Sequence, residues 1–251
     1  MRIRRGRATV TGNVVSGSQK TVSTRALTDG TRHPEEVCWF HMRRLLLVRH
    51  ASTAAVRAAA FGADEDLDGA GVEAASRLAA RLPRGDVLIS PARRAAQTAA
   101  GLTVSAVEPA LAECDFGTWA GRPLAELAAE NPAAVKAWMT DPDAAPHGGE
   151  SLTALLARVR TWLEEQAALD GTAIAITHGG VVKAAVVAAL DAPPSAFWRV
   201  DVSPLAITEL HAHDGRWTVT RVNDRDEGAA ARREAAANLK VPGTFKVETG
   251  G

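Results

Sequence analysis

The sequence has no excess of charge of either sign, few aromatic residues and only two cysteines. Its 29 Lys and Arg residues balance 29 Asp and Glu residues, and aromatic residues make up 4% of the chain. A balanced charge with few aromatics argues against a broad nucleic-acid surface and against a polybasic membrane patch. The two cysteines, Cys38 and Cys114, form no CxxC pair and supply neither a disulfide framework nor a zinc site. We therefore expect a cytoplasmic protein with no nucleic-acid partner.

Long apolar runs and nucleotide-binding loops are absent as well. No stretch approaches the roughly 20 apolar residues that cross a bilayer, and neither a Walker loop nor a GxGxxG fingerprint occurs. These absences argue against a membrane partner and against the usual nucleotide-binding folds. The chain instead has 251 residues with 46% hydrophobic content, which suffices for a globular core.

The two ends of the chain differ from its centre in composition. Residues 1–41 are rich in Arg, Ser, Thr and Gly and show no sustained hydrophobic period, which predicts a disordered extension or a misassigned start, with Met42 as the true first residue. A transit peptide is another interpretation, but the Gly and β-branched residues disfavour the amphipathic helix that it requires. We assign the folded domain to residues 42–224 and a tail to residues 225–251, in which residues 229–239 favour a short helix.

Two apolar runs each end at a histidine. Residues 45–48 lead into Arg49 and His50, and residues 173–177 lead into His178. A short apolar run bounded by polar residues is typical of a strand buried on both faces. In parallel sheets with helical crossovers, ligands bind beyond the carboxyl ends of the strands. We therefore expect both histidines at one edge of one sheet.

Between and after these runs, helical and strand patterns alternate. Residues 72–82 have apolar residues at helical spacing, residues 87–89 predict a short buried strand, and a helix over residues 92–100 follows Pro91. Further patterns predict a helical pair over 124–139 broken at Asn131-Pro132, a long helix capped by Ser151, and final strands at 205–210 and 217–222. This alternation predicts an α/β fold with a parallel sheet.

Taken in order, these segments resemble the histidine phosphatase superfamily, which is also called the phosphoglycerate mutase-like family. The segments that match its motifs are Arg49-His50, residues 90–99, residues 111–121 and His178. The resemblance covers residues 43–223. It implies a three-layer α/β/α fold with a mostly parallel central sheet and a short helical cap.

The resemblance also implies a role for each matched residue. His50 would be the nucleophile that forms a phosphohistidine, since a neutral imidazole carries a free lone pair near pH 7. Arg49 and Arg94 would bind the phosphoryl oxygens, which suit the planar fork of arginine. His178 would stabilise charge during transfer, and Glu113 would be the general acid. The residues expected to bind substrate are Arg49, Thr53, Arg94, His178 and Gly179.

Several assignments have competitors. Sequence spacing alone would let Arg93 and Arg94 exchange roles, and Asp115 competes with Glu113 as the acid. His147 and Glu150 could reach substrate from the loop before the long helix. The loop that carries them, within residues 138–152, looks like alpha-ribazole phosphatase, a member of the family.

The chain also departs from the family pattern at named positions. Ala51 and Ser52 stand where Gly and then Glu or Gln are usual, and Val56 replaces an asparagine, so one phosphate donor would be missing. Lys183 replaces an arginine, from which we expect little effect. As for metals, His211, His213 and Asp214 could be read as ligands on one strand face, but their position near a turn favours surface residues.

We therefore expect a phosphoric monoester hydrolase that acts through a phosphohistidine on small phosphorylated metabolites, without metal or cofactor. Two alternatives remain open, namely phosphoglycerate mutase-type phosphoryl transfer and a catalytically weak module that binds a phospho-ligand. The altered Ala51-Ser52 segment motivates the second alternative. We expect a small phosphomonoester as the binding partner and leave open a homodimer.

Overall fold

The strand that ends at Arg49 lies inside a six-stranded sheet in a computed structural model, which describes residues 42–225. The strands are β1 (Met42–Arg49), β2 (Asp86–Ile89), β3 (Ala106–Val107), β4 (Gly171–Thr177), β5 (Ile207–His213) and β6 (Arg216–Asp224). The extension predicted for residues 1–41 and the helix predicted for residues 229–239 lie outside the described residues.

Parallel pairing dominates the sheet. Its strands lie in the order β3-β2-β4-β1-β5-β6, and β3, β2, β4 and β1 pair in parallel, whereas β5 and β6 are antiparallel to their neighbours. In the register of β1 and β4, Arg49 pairs with Thr177. The residues that follow them, His50 and His178, therefore emerge side by side at one edge of the sheet, as expected.

Helices cover both faces of this sheet. They are α1 (Ala54–Arg57), α2 (Gly69–Ala75), α3 (Arg93–Thr98), α4 (Leu124–Glu130), α5 (Pro132–Thr140), α6 (Leu152–Ala167) and α7 (Gly179–Ala189). Short 3₁₀ helices span Leu78–Arg81, Pro109–Leu111, Gly117–Trp119 and Pro194–Arg199. Within the described residues, no helix is long and apolar enough to cross a membrane.

Alternate side chains of β1 enter two separate cores. Leu45 and Leu47 pack with α6 and α7 on one face, and Leu46 and Val48 pack with α3 and the first 3₁₀ helix on the other. All four are buried, and each contributes about 1.5–3 kcal/mol of apolar transfer free energy. The predicted three-layer α/β/α fold is confirmed.

Two helix predictions need correction. The single helix predicted over residues 72–82 is divided into α2 and a 3₁₀ helix, and the hydroxyl of Ser76 at the break donates to the carbonyl of Glu73 over 2.7 Å. Such a local bond competes with helix continuation. The helix predicted over residues 92–100 starts only at Arg93, because Ala92 is extended and its N–H donates to Ser90.

The predicted helical pair is the cap. Asn131 ends α4 and its side chain accepts from the Ala134 N–H at 3.0 Å, while Pro132 starts α5. Asparagine at the N-cap followed by proline at the first helical position is a favoured helix start. Leu127 of α4 and Val135 of α5 pack with Phe61 and Trp119 in a small apolar cluster.

Candidate active site

The ends of β1 and β4 bring the two predicted histidines together. The backbone N–H of His50 donates to the carbonyl of Thr177 over 2.8 Å, and the imidazole rings of His50 and His178 lie 5.2 Å apart between centroids. His50 is 3% exposed and His178 is fully buried. The parallel register of β1 and β4 thus places two residues that are distant in sequence next to each other.

His50 is held as a neutral imidazole with a defined tautomer. Its Nδ1 lies 2.7 Å from the carbonyl oxygen of Ala51, which can only accept, so Nδ1 carries the proton and Nε2 has the lone pair. Burial, together with the charge of Arg94, lowers the pKa of His50 to about 3. The ring is therefore unprotonated at neutral pH, as a nucleophile must be.

Arg94 lies between the two histidines. Its Nε donates to Nε2 of His50 over 3.2 Å, and its Nη2 donates to Nδ1 of His178 over 3.1 Å. The remaining guanidinium nitrogen, Nη1, donates to the carbonyl of Ala63 and lies 3.6 Å from the carboxylate of Glu65. The guanidinium is buried, and its contacts with four separate groups fix its position.

The neighbouring arginine has a different environment. The side chain of Arg93 is 58% exposed and pairs with Asp64 at 3.2 Å and Asp66 at 3.4 Å. The structure therefore places Arg94, and not Arg93, beside the histidines.

Arg49 supplies a second cation from the end of β1. Its Nη1 donates to the carbonyl of Val202 over 2.6 Å. Its Nε is buried and has no hydrogen-bond acceptor among residues 42–225, although a buried donor normally has one. A bound anion would satisfy that donor.

His178 is oriented from behind by a serine. Because Nδ1 of His178 accepts from Arg94, its Nε2 carries the proton and donates to the hydroxyl of Ser90 over 2.7 Å. Burial first, and the charge of Arg94 second, hold the pKa of His178 well below its ordinary value. The sequence analysis gave Ser90 no role, although it is the first residue of the segment, residues 90–99, that matches a family motif and contains Arg94.

Glu113 faces the same group of side chains. Its carboxylate lies 4.0 Å from Nδ1 of His178, and one oxygen accepts from the N–H of Cys114 at 3.0 Å. Burial raises the pKa of Glu113, although the charges of Arg94 and Arg49 act in the opposite direction. A carboxyl group with a raised pKa keeps its proton to higher pH and can give it to a leaving group.

Asp115, the competitor for the acid role, does not share this environment. It is exposed, and one of its carboxylate oxygens accepts from the backbone N–H of Gly117 at 2.9 Å. The structure therefore brings Glu113, and not Asp115, to the histidines.

Gly180 has no side chain, and the Glu113 carboxylate lies close to where a Cβ atom would otherwise be. A Cβ atom built on Gly180 would clash with the Glu113 carboxylate. The second glycine of the His-Gly-Gly segment thus gives the Glu113 carboxylate its present position, since a methyl group there would displace the end of that side chain. Gly179, the first, lines the cavity next to Arg49.

These groups lie at one end of a cavity of about 260 Å³. The charged or titratable residues that line it are Arg49, His50, Glu65, Arg94, Glu113, Cys114, Lys183 and Asp201, and the aromatic residues are Phe61, Phe116, Trp138, Phe197 and Trp198. His178 does not line the cavity, but it accepts a hydrogen bond from Arg94, which does. A cavity of this volume suits a small molecule.

Four residues that were predicted to contact or reach the substrate do not line the cavity, namely Thr53, His147, Glu150 and, as described above, His178. The hydroxyl of Thr53 caps α1 by accepting from the Val56 N–H at 3.2 Å, and it donates to Glu65 over 3.2 Å, so it is already used within the protein. Glu150 pairs with Arg158 at 2.8 Å. Neither residue is part of the cavity wall.

His147 also lies away from the cavity. It is 1% exposed, and its ring contacts Phe116 and Trp119 at centroid distances of 5.9 Å and 5.2 Å. The structure therefore gives no support to the suggestion that His147 and Glu150 reach substrate. Both residues serve to join the loop before α6 to the loop that carries Glu113.

Metal ligands do not converge in the described part of the chain. No group of three or more His, Cys, Asp or Glu residues could hold an ion among residues 42–225. His211 instead bonds to Glu209 at 2.7 Å, and His213 lies 3.2 Å from Asp214. The structure of residues 42–225 therefore gives no support for a metal site on this strand.

A protein-family model and several known proteins match this chain. A model of the histidine phosphatase superfamily (branch 1) matches residues 45–225. In sequence, the chain is 32% identical over 212 residues to bifunctional protein Rv2228c of Mycobacterium tuberculosis, across 77% of this chain and 58% of that protein. The chain thus spans less than two thirds of that relative.

Two solved structures are similar over most of the described residues. One is the mycobacterial glucosyl-3-phosphoglycerate phosphatase Rv2419c, with a TM-score of 0.63, 30% identity and coverage of 73% of this chain and 100% of the other. The second is the alpha-ribazole phosphatase of Shigella flexneri, with a TM-score of 0.63, 24% identity and coverage of 72% and 96%. At 24% identity, the similarity to the second structure shows a shared fold alone.

Proposed function

This chain belongs to the histidine phosphatase superfamily, and from that premise we propose that it is a metal-independent phosphomonoester hydrolase that acts on small phosphorylated metabolites through a phosphohistidine. One observation carries the proposal. A buried neutral His50, with its lone pair on Nε2, faces two arginines and a carboxyl group of raised pKa at the end of one cavity.

In the first step, the phosphoryl group of the substrate takes the donors of Arg94 and Arg49. Its oxygens accept from Arg94 in place of Nε2 of His50, which frees that nitrogen for attack on phosphorus. The N–P bond forms as the P–O ester bond breaks, and Glu113 gives its proton to the leaving oxygen. The products are an alcohol, a phosphohistidine and the Glu113 carboxylate.

In the second step, water replaces the alcohol. The Glu113 carboxylate accepts a proton from water while the water oxygen attacks phosphorus and the N–P bond breaks. Inorganic phosphate leaves, and His50 and protonated Glu113 return to their starting states. His178 holds Arg94 in position in both steps, and Ser90 fixes the ring of His178.

Three observations favour hydrolysis over the alternatives. The cap consists of only α4 and α5, which supports access of water to the phosphohistidine. A module that only binds a phospho-ligand has no use for a buried carboxyl group of raised pKa, so Glu113 supports turnover. The similarity to a structure named as a phosphatase points the same way.

A direct test uses the purified chain with p-nitrophenyl phosphate and excess EDTA. We expect release of p-nitrophenol and phosphate at the same rate with and without the chelator. Loss of turnover on chelation, with recovery on adding a divalent metal, would contradict the covalent-histidine mechanism.

Four further predictions from the sequence form part of this proposal. They are a folded domain over residues 42–224, a location in the cytoplasm, no nucleic-acid partner and a homodimer as an open option. Gel filtration of the full chain would decide the last of these.

A further inference from the structure

Glu113, the proposed general acid, lies in a segment without regular secondary structure. Residues 112–116 form neither a strand nor a helix, and they join the 3₁₀ helices Pro109–Leu111 and Gly117–Trp119. A functional side chain on a loop takes its position from the rigid parts of the protein that hold the loop. The contacts of this loop therefore decide where the Glu113 carboxyl group lies.

Arg158 of α6 binds the backbone just before Glu113. Its Nη1 donates to the carbonyl of Ala110 over 2.7 Å and to the carbonyl of Ala112 over 3.1 Å. Hydrogen bonds from a charged donor are stronger than those between neutral groups. Because Ala112 directly precedes Glu113, a 16-residue helix fixes the chain at the entry to the acid.

Glu150 links Arg158 to the residues just after Glu113. Its carboxylate accepts from Nε of Arg158 at 3.0 Å and from Nη2 at 2.8 Å, one bond to each oxygen. The backbone N–H of Glu150 donates to the carbonyl of Asp115 over 2.8 Å, and its carbonyl accepts from the Cys114 thiol at 3.3 Å. The loop is therefore held on both sides of the acid by one ion pair.

The guanidinium group of Arg158 suits this link because each of its three nitrogens has an acceptor. Nε and Nη2 bind the Glu150 carboxylate, and Nη1 binds the two carbonyls. The side chains of Arg158 and Glu150 are 26% and 17% exposed, so solvent screens this pair less than it screens a surface pair. The planar fork of arginine holds a carboxylate and two carbonyls at once, whereas the ammonium group of a lysine is a point charge without that geometry.

Arg158 and Glu150 do not line the cavity, so any effect that they have on the reaction passes through other residues. We propose that Arg158, paired with Glu150, positions Glu113 for transfer of its proton to the leaving oxygen. This inference rests on the proposed function and deepens it, because it makes Arg158 a positioning residue for the acid step. A displacement of about 1 Å at a reacting group can cost about 10²-fold in rate.

The test compares two substrates that differ in their need for an acid. The alkoxide of glycerol 1-phosphate needs a proton in order to leave, whereas p-nitrophenolate does not. We expect Arg158→Met to lower kcat/KM for glycerol 1-phosphate by about 10- to 100-fold and for p-nitrophenyl phosphate by less than about threefold. Should Arg158→Met fail to fold, Glu150→Gln keeps the backbone bonds of residue 150, and it should cause the same selective loss with a smaller factor, about 3- to 10-fold.

A double-mutant cycle separates positioning of the acid from a general structural role. In the Glu113→Gln background the acid is already absent, so Arg158→Met should cause no further loss with glycerol 1-phosphate. A general structural role would instead lower the rates of both substrates equally, or lower them by the same factor in both backgrounds. Either result would overturn the inference while leaving the hydrolase proposal intact.

Arg160→Met provides the matched control. Arg160 lies on the same helix, is exposed and pairs with Asp191 at 3.3 Å, and it does not line the cavity. The same chemical change there should leave kcat/KM unaltered for both substrates. A selective loss with glycerol 1-phosphate in Arg160→Met as large as that in Arg158→Met would also overturn the inference.

NMR titration of the Glu113 carboxyl group separates failure of this inference from failure of the hydrolase. If the wild-type chain hydrolyses neither substrate, the proposed function is wrong, and the titration still tests the placement. Burial raises the pKa of Glu113, so a carboxyl group released to solvent in Arg158→Met should have a lower pKa, although loss of a nearby cation alone would raise it. A Glu113 pKa that is unchanged or higher in Arg158→Met would overturn the inference.

Discussion

Nε of Arg94 donates a hydrogen bond to Nε2 of His50 over 3.2 Å. The proposed nucleophile is therefore covered by the same group that is proposed to bind the phosphoryl oxygens. Binding and activation are coupled in this arrangement, because an anion that takes the Arg94 donors also releases the lone pair of His50. The charge of Arg94 also helps to keep the ring unprotonated.

Replacing Arg94 should affect both rate and protonation. For Arg94→Gln we expect a loss of about 10²–10³ in kcat/KM, as for removal of other charge-stabilising donors. We also expect the pKa of His50 to rise from about 3, since a lowering charge is removed. NMR titration of the imidazole measures the second effect. Arg93→Gln is the control, because Arg93 is exposed and pairs with Asp64 and Asp66. An unchanged His50 titration in Arg94→Gln would contradict the electrostatic account.

The pH dependence of kcat/KM should report Glu113. The acid must be protonated to act, and burial raises its pKa, so activity should be high in mildly acidic solution and fall as pH rises through that pKa. His50, with a pKa of about 3, stays neutral throughout this range and sets no limit above it. In Glu113→Gln the descending limb should vanish. A rate that increases steadily from pH 5 to pH 8 would exclude this assignment.

The quality of the leaving group gives an independent measure of the same residue. Glu113→Gln should slow the hydrolysis of alkyl phosphates far more than that of p-nitrophenyl phosphate, because p-nitrophenolate leaves without a proton. A general acid contributes about 10²–10⁴ in rate, so the gap between the two substrates should approach that range. Asp115→Asn serves for comparison, since Asp115 is exposed. Equal losses on both substrates would remove Glu113 from the acid role.

Gly180→Ala tests the placement of Glu113 without altering its chemistry. Within a helix, alanine is favoured over glycine by about 1 kcal/mol, so the free energy of unfolding should not fall by much. The added methyl would nevertheless clash with the Glu113 carboxylate, and we expect kcat for alkyl phosphates to fall about 10- to 100-fold. Gly69→Ala in α2, where the methyl meets nothing within 4 Å, should leave kcat unchanged. Full activity in Gly180→Ala would show that the carboxylate position is not critical.

The sequence predicted the centre of the site because the centre depends on the sheet. Apolar runs that stop at Arg49 and His178 are typical of buried parallel strands, and strand register brings the residues after them together. The choice of Arg94 over Arg93 followed from the resemblance of residues 90–99 to a family motif, and the burial of Arg94 between the two histidines agrees with it.

The rest of the site could not be predicted because it depends on which donors and acceptors the protein itself already uses. The Thr53 hydroxyl caps a helix, and the His147 ring packs among aromatic rings, so neither side chain lines the cavity. Glu65 was missed because it lies in an acidic run that looks like a solvated loop, yet it contacts Arg94.

The central claim is that His50 carries the phosphoryl group. The most direct measurement is acid-free denaturation of the chain during turnover of p-nitrophenyl phosphate, followed by mass spectrometry of the peptide that contains His50. We predict a phosphorylated peptide whose phosphate is lost in acid and kept in base, present in Glu113→Gln and absent in His50→Ala. Turnover with no phosphate on His50, or phosphate that persists in the His50→Ala variant, would contradict the account.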